Sequence, residues 1–438
     1  MIDETLPQRS AARRQEEDRP ADPRAVAPRN PEMADSDTDQ PGTRTAENPR
    51  GDLAIVLSGG GARAAYQVGL LRWLARRAPE LHFDIVAGVS AGAINAAMLA
   101  SHPGTLAESV AELIKLWERL ESEQVFRVDS PSLSRHLARW GTRLVSGGSR
   151  FTAQPRGMVD TAPLRRLLRR QLAPLGPYGE ILGIRKNLAE QRLRAFAVVT
   201  LNYATGQTVT WVQGRDIEGW ERTNRRSLQA RLTVEHVMAS SALPMFFPAV
   251  RLGRDWHGDG GVRLVAPLSP ALHLGAQRIL AVSTRFVRTP SEEDRPKTVG
   301  YPPPAQILGH LMNAIFLDVL DQDVNRLERL NALLRELPPE KRQGMRPIDI
   351  VSVRPSVDLG ALSADYEPRL PGVFRFMTRS LGTRETASPD FLSLLMFQPD
   401  YLQQLIEIGE ADAEARADDL DRLLGTDAPP RAAEAETG

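Results

Sequence analysis

Two strand–turn–helix units follow one another within about fifty residues near the start of the chain, and no other feature constrains the fold as much. The run LAIVLS (53–58) is short, continuously apolar and β-branched. That is the pattern of a strand buried on both faces of a parallel sheet. It ends in three consecutive glycines, after which Ala65, Val68, Leu71 and Leu74 recur at helical spacing. FDIVAGVS (83–90) repeats the design: an apolar strand, a glycine-flanked turn, then a helix of small residues in AGAINAAMLA. This order predicts an α/β fold on a parallel sheet.

Further strands are expected at 193–202, 207–213, 278–284 and 348–355, and helices at 233–242 and 308–337. The stretch 104–190 reads as mostly helical and arginine-rich. No repeat and no clean linker interrupts 51–425, so one domain is expected, with a helical insertion at about 104–190 and a helical C-terminal part at about 302–425. Residues 1–50 and 426–438 are nearly free of large apolar side chains and are expected to be disordered tails, because burial cannot offset their ordering entropy.

Composition excludes several functions. Among 438 residues, 55 basic and 55 acidic side chains give zero formal charge, which argues against broad electrostatic capture of nucleic acid. Only four of the basic residues are Lys (115, 186, 297 and 341), leaving 55 − 4 = 51 Arg, a bias we ascribe to coding composition. Cysteine is absent, and with it disulfides, thiolate zinc sites, iron–sulfur clusters and cysteine nucleophiles. The N-terminus has no apolar core of a Sec signal peptide. No apolar run approaches the ~18 residues of a spanning helix. A cytoplasmic protein is expected, attached to a membrane surface at most.

Three local motifs carry chemistry. Gly88-Val89-Ser90-Ala91-Gly92 follows a strand and opens a helix, the context of a nucleophile elbow. The serine sits on a strained turn that side chains at positions 88 and 92 would obstruct. The loop Ser58-Gly59-Gly60-Gly61-Ala62-Arg63 can bring backbone N–H groups close to an anion. It reads as an oxyanion hole beside Ser90, as a dinucleotide fingerprint (Gly59, Gly61 and Ala64 fit G-x-G-x-x-A), or as a plain tight turn. Against the dinucleotide reading, Asp84 lies at the start of the second strand, while its far end carries Gly88 and Ser90. The third motif, Asp259-Gly260-Gly261, is by itself most simply a turn.

Together and in this order the three motifs resemble the patatin-like phospholipase family (bacterial type). The segment ASSALPMFFPAV (239–250) and YLQQLIEIGEADA (401–413) match as well, so the resemblance covers roughly 52–415. It implies a three-layer α/β/α sandwich with a mostly parallel sheet, and a serine acyl hydrolase working through a Ser–Asp dyad on phospholipid or lysophospholipid esters. Ser90 would be the nucleophile and Asp259 the general base, its basicity raised by burial. Gly59, Gly60, Gly61, Ala62 and Arg63 would form the oxyanion hole, and Gly88, Gly92, Gly260 and Gly261 are the motif glycines. Arg63 would order the loop or meet a lipid phosphate. One departure is Ala64, where the family usually carries glycine. A methyl group is tolerable there if the residue is already helical.

No cofactor and no metal is implied. The partners expected are a lipid substrate and a transient membrane surface, with no nucleic acid; the oligomeric state is left open. Seven histidines (82, 102, 136, 236, 257, 273 and 310) decide between dyad and triad. His273 and His310 follow Asp259 in chain order but sit in helix-like segments, and His257 could line the mouth of the site. Alternatives are a His-assisted esterase for small esters and a non-catalytic lipid-binding regulator. Segments 244–250 and 370–381 are candidates for contact with lipid. Phe316, Leu317 and Leu320 are candidates for an acyl groove.

Overall fold

The computed structural model describes residues 51–127, 157–173, 177–289, 301–370 and 389–426, with a few isolated positions between them. Residues 1–50 and 427–438 of the expected tails, most of segment 370–381, and His136 lie outside these.

Among the described residues the sheet has ten strands: β1 (Leu53–Leu57), β2 (Ile85–Val89), β3 (Ala195–Asn202), β4 (Thr208–Gly214), β5 (Glu221–Arg222), β6 (Arg225–Gln229), β7 (Val250–Leu252), β8 (Asp255–Asp259), β9 (Arg278–Val282) and β10 (Asp349–Val353). Their spatial order is β10-β9-β1-β2-β3-β4-β6-β5, and β8 pairs with both β3 and β7. The central run β10-β9-β1-β2-β3 is parallel. β4 and β8 pair with β3 antiparallel. The described helices used below are α1 (Ala65–Arg77), α2 (Ala91–Ser101), α3 (Leu106–Glu118), α4 (Ala162–Leu172), α5 (Val234–Ser240), α6 (Ser269–His273), α7 (Pro304–Phe316), α8 (Asp318–Glu336), α9 (Asp390–Leu395) and α10 (Pro399–Ala415).

The continuous apolar strands have the expected cause. In β1, Leu53, Ile55 and Leu57 pack into a large core with α1, α2, α3 and α10. Ala54 and Val56 point to the other face, into a smaller core built with Leu268 and Ala271 of the α6 region and Leu320, Val324 and Leu327 of α8. Alternate side chains of one strand thus enter two cores, which makes the fold a mostly parallel sheet covered by helices on both faces.

Two expectations are corrected. The helix foreseen over 308–337 is two helices, α7 and α8, meeting at Leu317 (φ −111°, ψ −41°). Asp318 and Asp321 stand in the first turn of α8, where acidic groups favour a helix start. Arg285 holds Asp318 there at 2.6 Å. Strands β5 to β8 were not foreseen. β8 (DWHGD) lacks an apolar alternation, and it forms because the far end of β3 extends past β2 and leaves Thr200, Leu201 and Asn202 to pair with it.

Candidate active site

Ser90 stands between the end of β2 and the start of α2 with φ 57° and ψ −136°, a backbone conformation that non-glycine residues rarely adopt. The neighbouring glycines are required by contact. A Cβ on Gly92 would lie 2.3 Å from the Ser58 carbonyl oxygen, and one on Gly88 would lie 2.7 Å from Ala93 Cα. Two further serines hold the elbow. The Ser90 N–H donates to Ser240 Oγ (3.0 Å), Ser240 Oγ donates to the Val199 carbonyl (2.7 Å), and Ser241 Oγ donates to the Ser90 carbonyl (2.9 Å). Both sit where α5 ends, in the ASSALP segment that marked the resemblance, but nothing in their spacing revealed this role.

Asp259 closes β8 and is fully buried. It is paired across from Thr200, and its N–H donates to the Ala242 carbonyl at 3.0 Å. Strand and helix α5 thereby bring it to the elbow from 169 residues away (259 − 90). Its Oδ1 accepts from the Gly261 N–H at 2.9 Å, while Oδ2 is buried without a hydrogen-bond partner. Burial raises its pKa from 3.8 to about 7, against the opposing pull of the Ser90 hydroxyl and the Gly261 amide. The serine is therefore near enough to interact, although the pair is not closed into a strict hydrogen bond. Catalytic hydrogen bonds are often loose before substrate arrives. Gly260 and Gly261 are needed because a Cβ on either would strike the Val199 carbonyl (2.4 Å) or the Phe316 ring (2.5 Å).

The glycine loop faces Ser90. Gly60 and Gly61 adopt φ 151° and 55°. Thr284 Oγ1 donates to the Gly59 carbonyl at 2.6 Å, so the trans peptide turns the Gly60 N–H the opposite way. The N–H groups of Gly60, Gly61 and Ala62 find no acceptor among the described residues. Gly59 lies against Ser90: a Cβ there would be 2.9 Å from Ser90 Cβ.

Arg63 differs from its expected place in the oxyanion hole. Its N–H is spent on the Gly60 carbonyl (3.0 Å). Its guanidinium is buried and turned to the C-terminal part of the chain, reaching Asp390 Oδ1 at 2.8 Å and Ser393 Oγ at 2.6 Å. It orders the loop and meets no open anion site. Ala64 is helical (φ −65°, ψ −12°) and accepts the methyl without strain. A second buried network fixes the loop from below. Gln67 Nε2 donates to the Ser58 carbonyl (2.8 Å), Asn95 Nδ2 to Gln67 Oε1 (2.9 Å), and Trp117 Nε1 to Asn95 Oδ1 (2.8 Å).

A cleft of about 740 Å³, counting the space open at its mouth, ends at Gly60, Gly61 and Ser90. Apart from Ser241, the rest of its wall is apolar, with Trp117 and Leu120, three leucines of α4, Phe247, Phe316, Leu394 and Phe397 among its residues. Phe316 fills its expected place there, whereas Leu320 belongs to the core on the other face of the sheet. Of segment 244–250, Phe246 is buried and Met245 is 69% exposed.

No described histidine lines this cleft. His257, expected at the mouth, is buried with Nδ1 3.0 Å from Thr200 Oγ1. His273 stacks on Trp220 with ring centroids 4.8 Å apart, and His310 borders a different cleft. His236 caps α5, and burial pushes its pKa down to about 4. Asp84 accepts from the Leu53 N–H at the opposite end of the sheet from the glycine loop (2.8 Å), out of reach of a cofactor held there.

Residues 55–272 match the family profile of patatin-like phospholipases. The chain carries a patatin-like phospholipase domain. Among solved structures it is similar to VipD from Legionella pneumophila (13% identity, TM-score 0.32, 86% of this chain and 67% of that one). It is similar also to human GIVD cytosolic phospholipase A2 (13%, 0.39, 86% and 59%). A third is the type III effector ExoU of Pseudomonas aeruginosa (15%, 0.33, 85% and 53%). The chain thus spans between about half and two thirds of the length of these proteins. No curated protein sequence matches it significantly. The family match supports lipid acyl hydrolysis as the broad class of chemistry. The loop-ordering segment around Asp390 and Ser393 lies outside the matched region.

Proposed function

We propose that this patatin-like protein hydrolyses the carboxylic esters of phospholipids or lysophospholipids through a Ser90–Asp259 dyad. The observation that carries the proposal is the fully buried Asp259 carboxylate, with one oxygen unpartnered, beside a strained serine at the end of an apolar cleft. Ser90 Oγ attacks the ester carbonyl carbon and Asp259 takes its proton. The N–H groups of Gly60, Gly61 and Ala62 receive the oxyanion as it forms, and each such donor contributes on the order of 3 kcal/mol in comparable sites. Collapse expels the alkoxide, which takes the proton back from Asp259 and leaves as an alcohol or lysolipid. Water then attacks the acyl-enzyme, gives a proton to Asp259, and releases the fatty acid with Ser90 regenerated. A carboxylate with a pKa near the working pH is a competent base for this sequence, and the apolar walls suit an acyl chain.

The test is fatty-acid release from phospholipid and lysophospholipid micelles by the purified protein and by Ser90→Ala with an unchanged melting temperature. Release should fall to background in the variant. Undiminished release would rule out the nucleophile, and no release by the wild type on either lipid would favour a binding role.

A further inference from the structure

The net charge of the chain is zero, yet α4 carries Arg165, Arg166, Arg169 and Arg170 and no acidic residue. Leu164, Leu167 and Leu168 of the same helix line the cleft that ends at Ser90. At 100° per residue the four arginines occupy the opposite sector of the helix. Arg165 and Arg169 share one carboxylate, Glu235, at 3.1 and 3.0 Å. Arg166 and Arg170 are exposed, and neither pairs with a carboxylate among the described residues. Four cations therefore answer one anion. Just before α4, the Met158 N–H donates to the Met245 carbonyl at 3.1 Å. Met245 is 69% exposed, with φ 65°, while Leu243 and Phe247 on either side of it line the cleft. A solvated protein surface mixes charges of both signs. A cationic helix face beside an exposed apolar tip is instead the composition of a surface that lies on lipid headgroups.

We propose that the outer face of α4, with the Met245 tip beside it, docks on anionic membrane lipid. This rests on reading the cleft as an acyl site: the helix that walls the acyl chain on its inner side meets the headgroup layer on its outer side. Attraction to such a surface is electrostatic and must weaken with salt.

The experiment uses full-length Ser90→Ala protein, so that vesicles are not consumed. Its partition is measured onto phosphatidylcholine vesicles and onto phosphatidylcholine mixed with phosphatidylglycerol, at low and at physiological salt. Binding should require the anionic lipid. Arg166→Gln/Arg170→Gln in the same background keeps two helix-favouring side chains and should lower partition about 30-fold. The melting temperature of the variant reports that it is folded. Equal partition onto neutral vesicles, or unchanged partition in the folded double variant, would overturn the proposal. So would equally tight capture by a single-stranded oligonucleotide, which would make the face a general polyanion site. Vesicle binding is read without turnover, so failure here is distinguishable from failure of the proposed chemistry, which shows only as absent fatty-acid release by the wild type.

Discussion

Replacing Asp259 by Asn should abolish activity and stabilise the fold, and the stabilisation should depend on pH. Burial raises the carboxyl pKa from 3.8 to about 7. Between these values the folded protein holds a proton that the unfolded chain has released, so stability falls as pH rises through this window and levels off above 7. The gap corresponds to about 4 kcal/mol at pH 8, taken at 1.36 kcal/mol for each pH unit. Asn is uncharged at every pH. Its carbonyl can still accept from the Gly261 N–H, now made at 2.9 Å. Asp259→Asn should therefore resist urea unfolding better than the wild type at pH 8, by up to about 4 kcal/mol. The advantage should shrink to a fraction of a kcal/mol by pH 4 and vanish only below 3.8, where the carboxyl is protonated in both states. Over the same range, wild-type kcat/KM should rise with pH and level off above about 7, as the base loses its proton. Urea titrations at pH 4, 6 and 8 with ester hydrolysis alongside decide the matter. A variant less stable at pH 8, or a difference that does not move with pH, would refute the idea that Asp259 carries an uncompensated buried charge.

Three other outcomes follow from contacts around the loop and cleft. Asp390→Asn leaves the buried Arg63 guanidinium without its anion, which costs on the order of 3–5 kcal/mol; melting should fall, and kcat should drop more than KM changes, because the glycine loop and not the acyl wall loses its support. Gly61→Ala places a methyl 2.1 Å from the Leu394 carbonyl oxygen at a φ of 55°, so hydrolysis should fall about 100-fold or more, as when one oxyanion donor is lost, in a stopped assay on the folded fraction. Leu168→Trp narrows the cleft and should shift the preference among p-nitrophenyl esters toward shorter acyl chains, while leaving the acetate ester least affected.

How much of this was legible in the sequence varied with the kind of contact. The elbow was readable because it is local: an apolar strand, a serine and two glycines specify it within ten residues. The parallel strands β1, β2 and β9 were readable because burial on both faces leaves unbroken apolar runs, and β10, a half-buried edge strand, because Ile350, Val351 and Val353 keep it largely apolar. Asp259 needed the resemblance, since an Asp beside two glycines usually marks only a turn, and β8, which carries it, has no strand pattern of its own. For Arg63 the resemblance left an oxyanion or phosphate contact and a loop-ordering role both open; its loop-ordering partners, Asp390 and Ser393, lie 327 and 330 residues away, and nothing in either segment announces the pairing. The clamp of Ser240 and Ser241 was hidden for the same reason. The break at Leu317 carries neither proline nor glycine; two early acids in α8 were its only trace.

The central claim is that Ser90 is a nucleophile activated by a buried Asp259. It is tested most directly by treating the protein with a fluorophosphonate and locating the adduct by peptide mass spectrometry. The account predicts one adduct, on Ser90, formed by the wild type and lost or greatly slowed in Asp259→Asn despite that variant's intact fold. An adduct on another residue, or labelling of Ser90 at the same rate in Asp259→Asn, would contradict it.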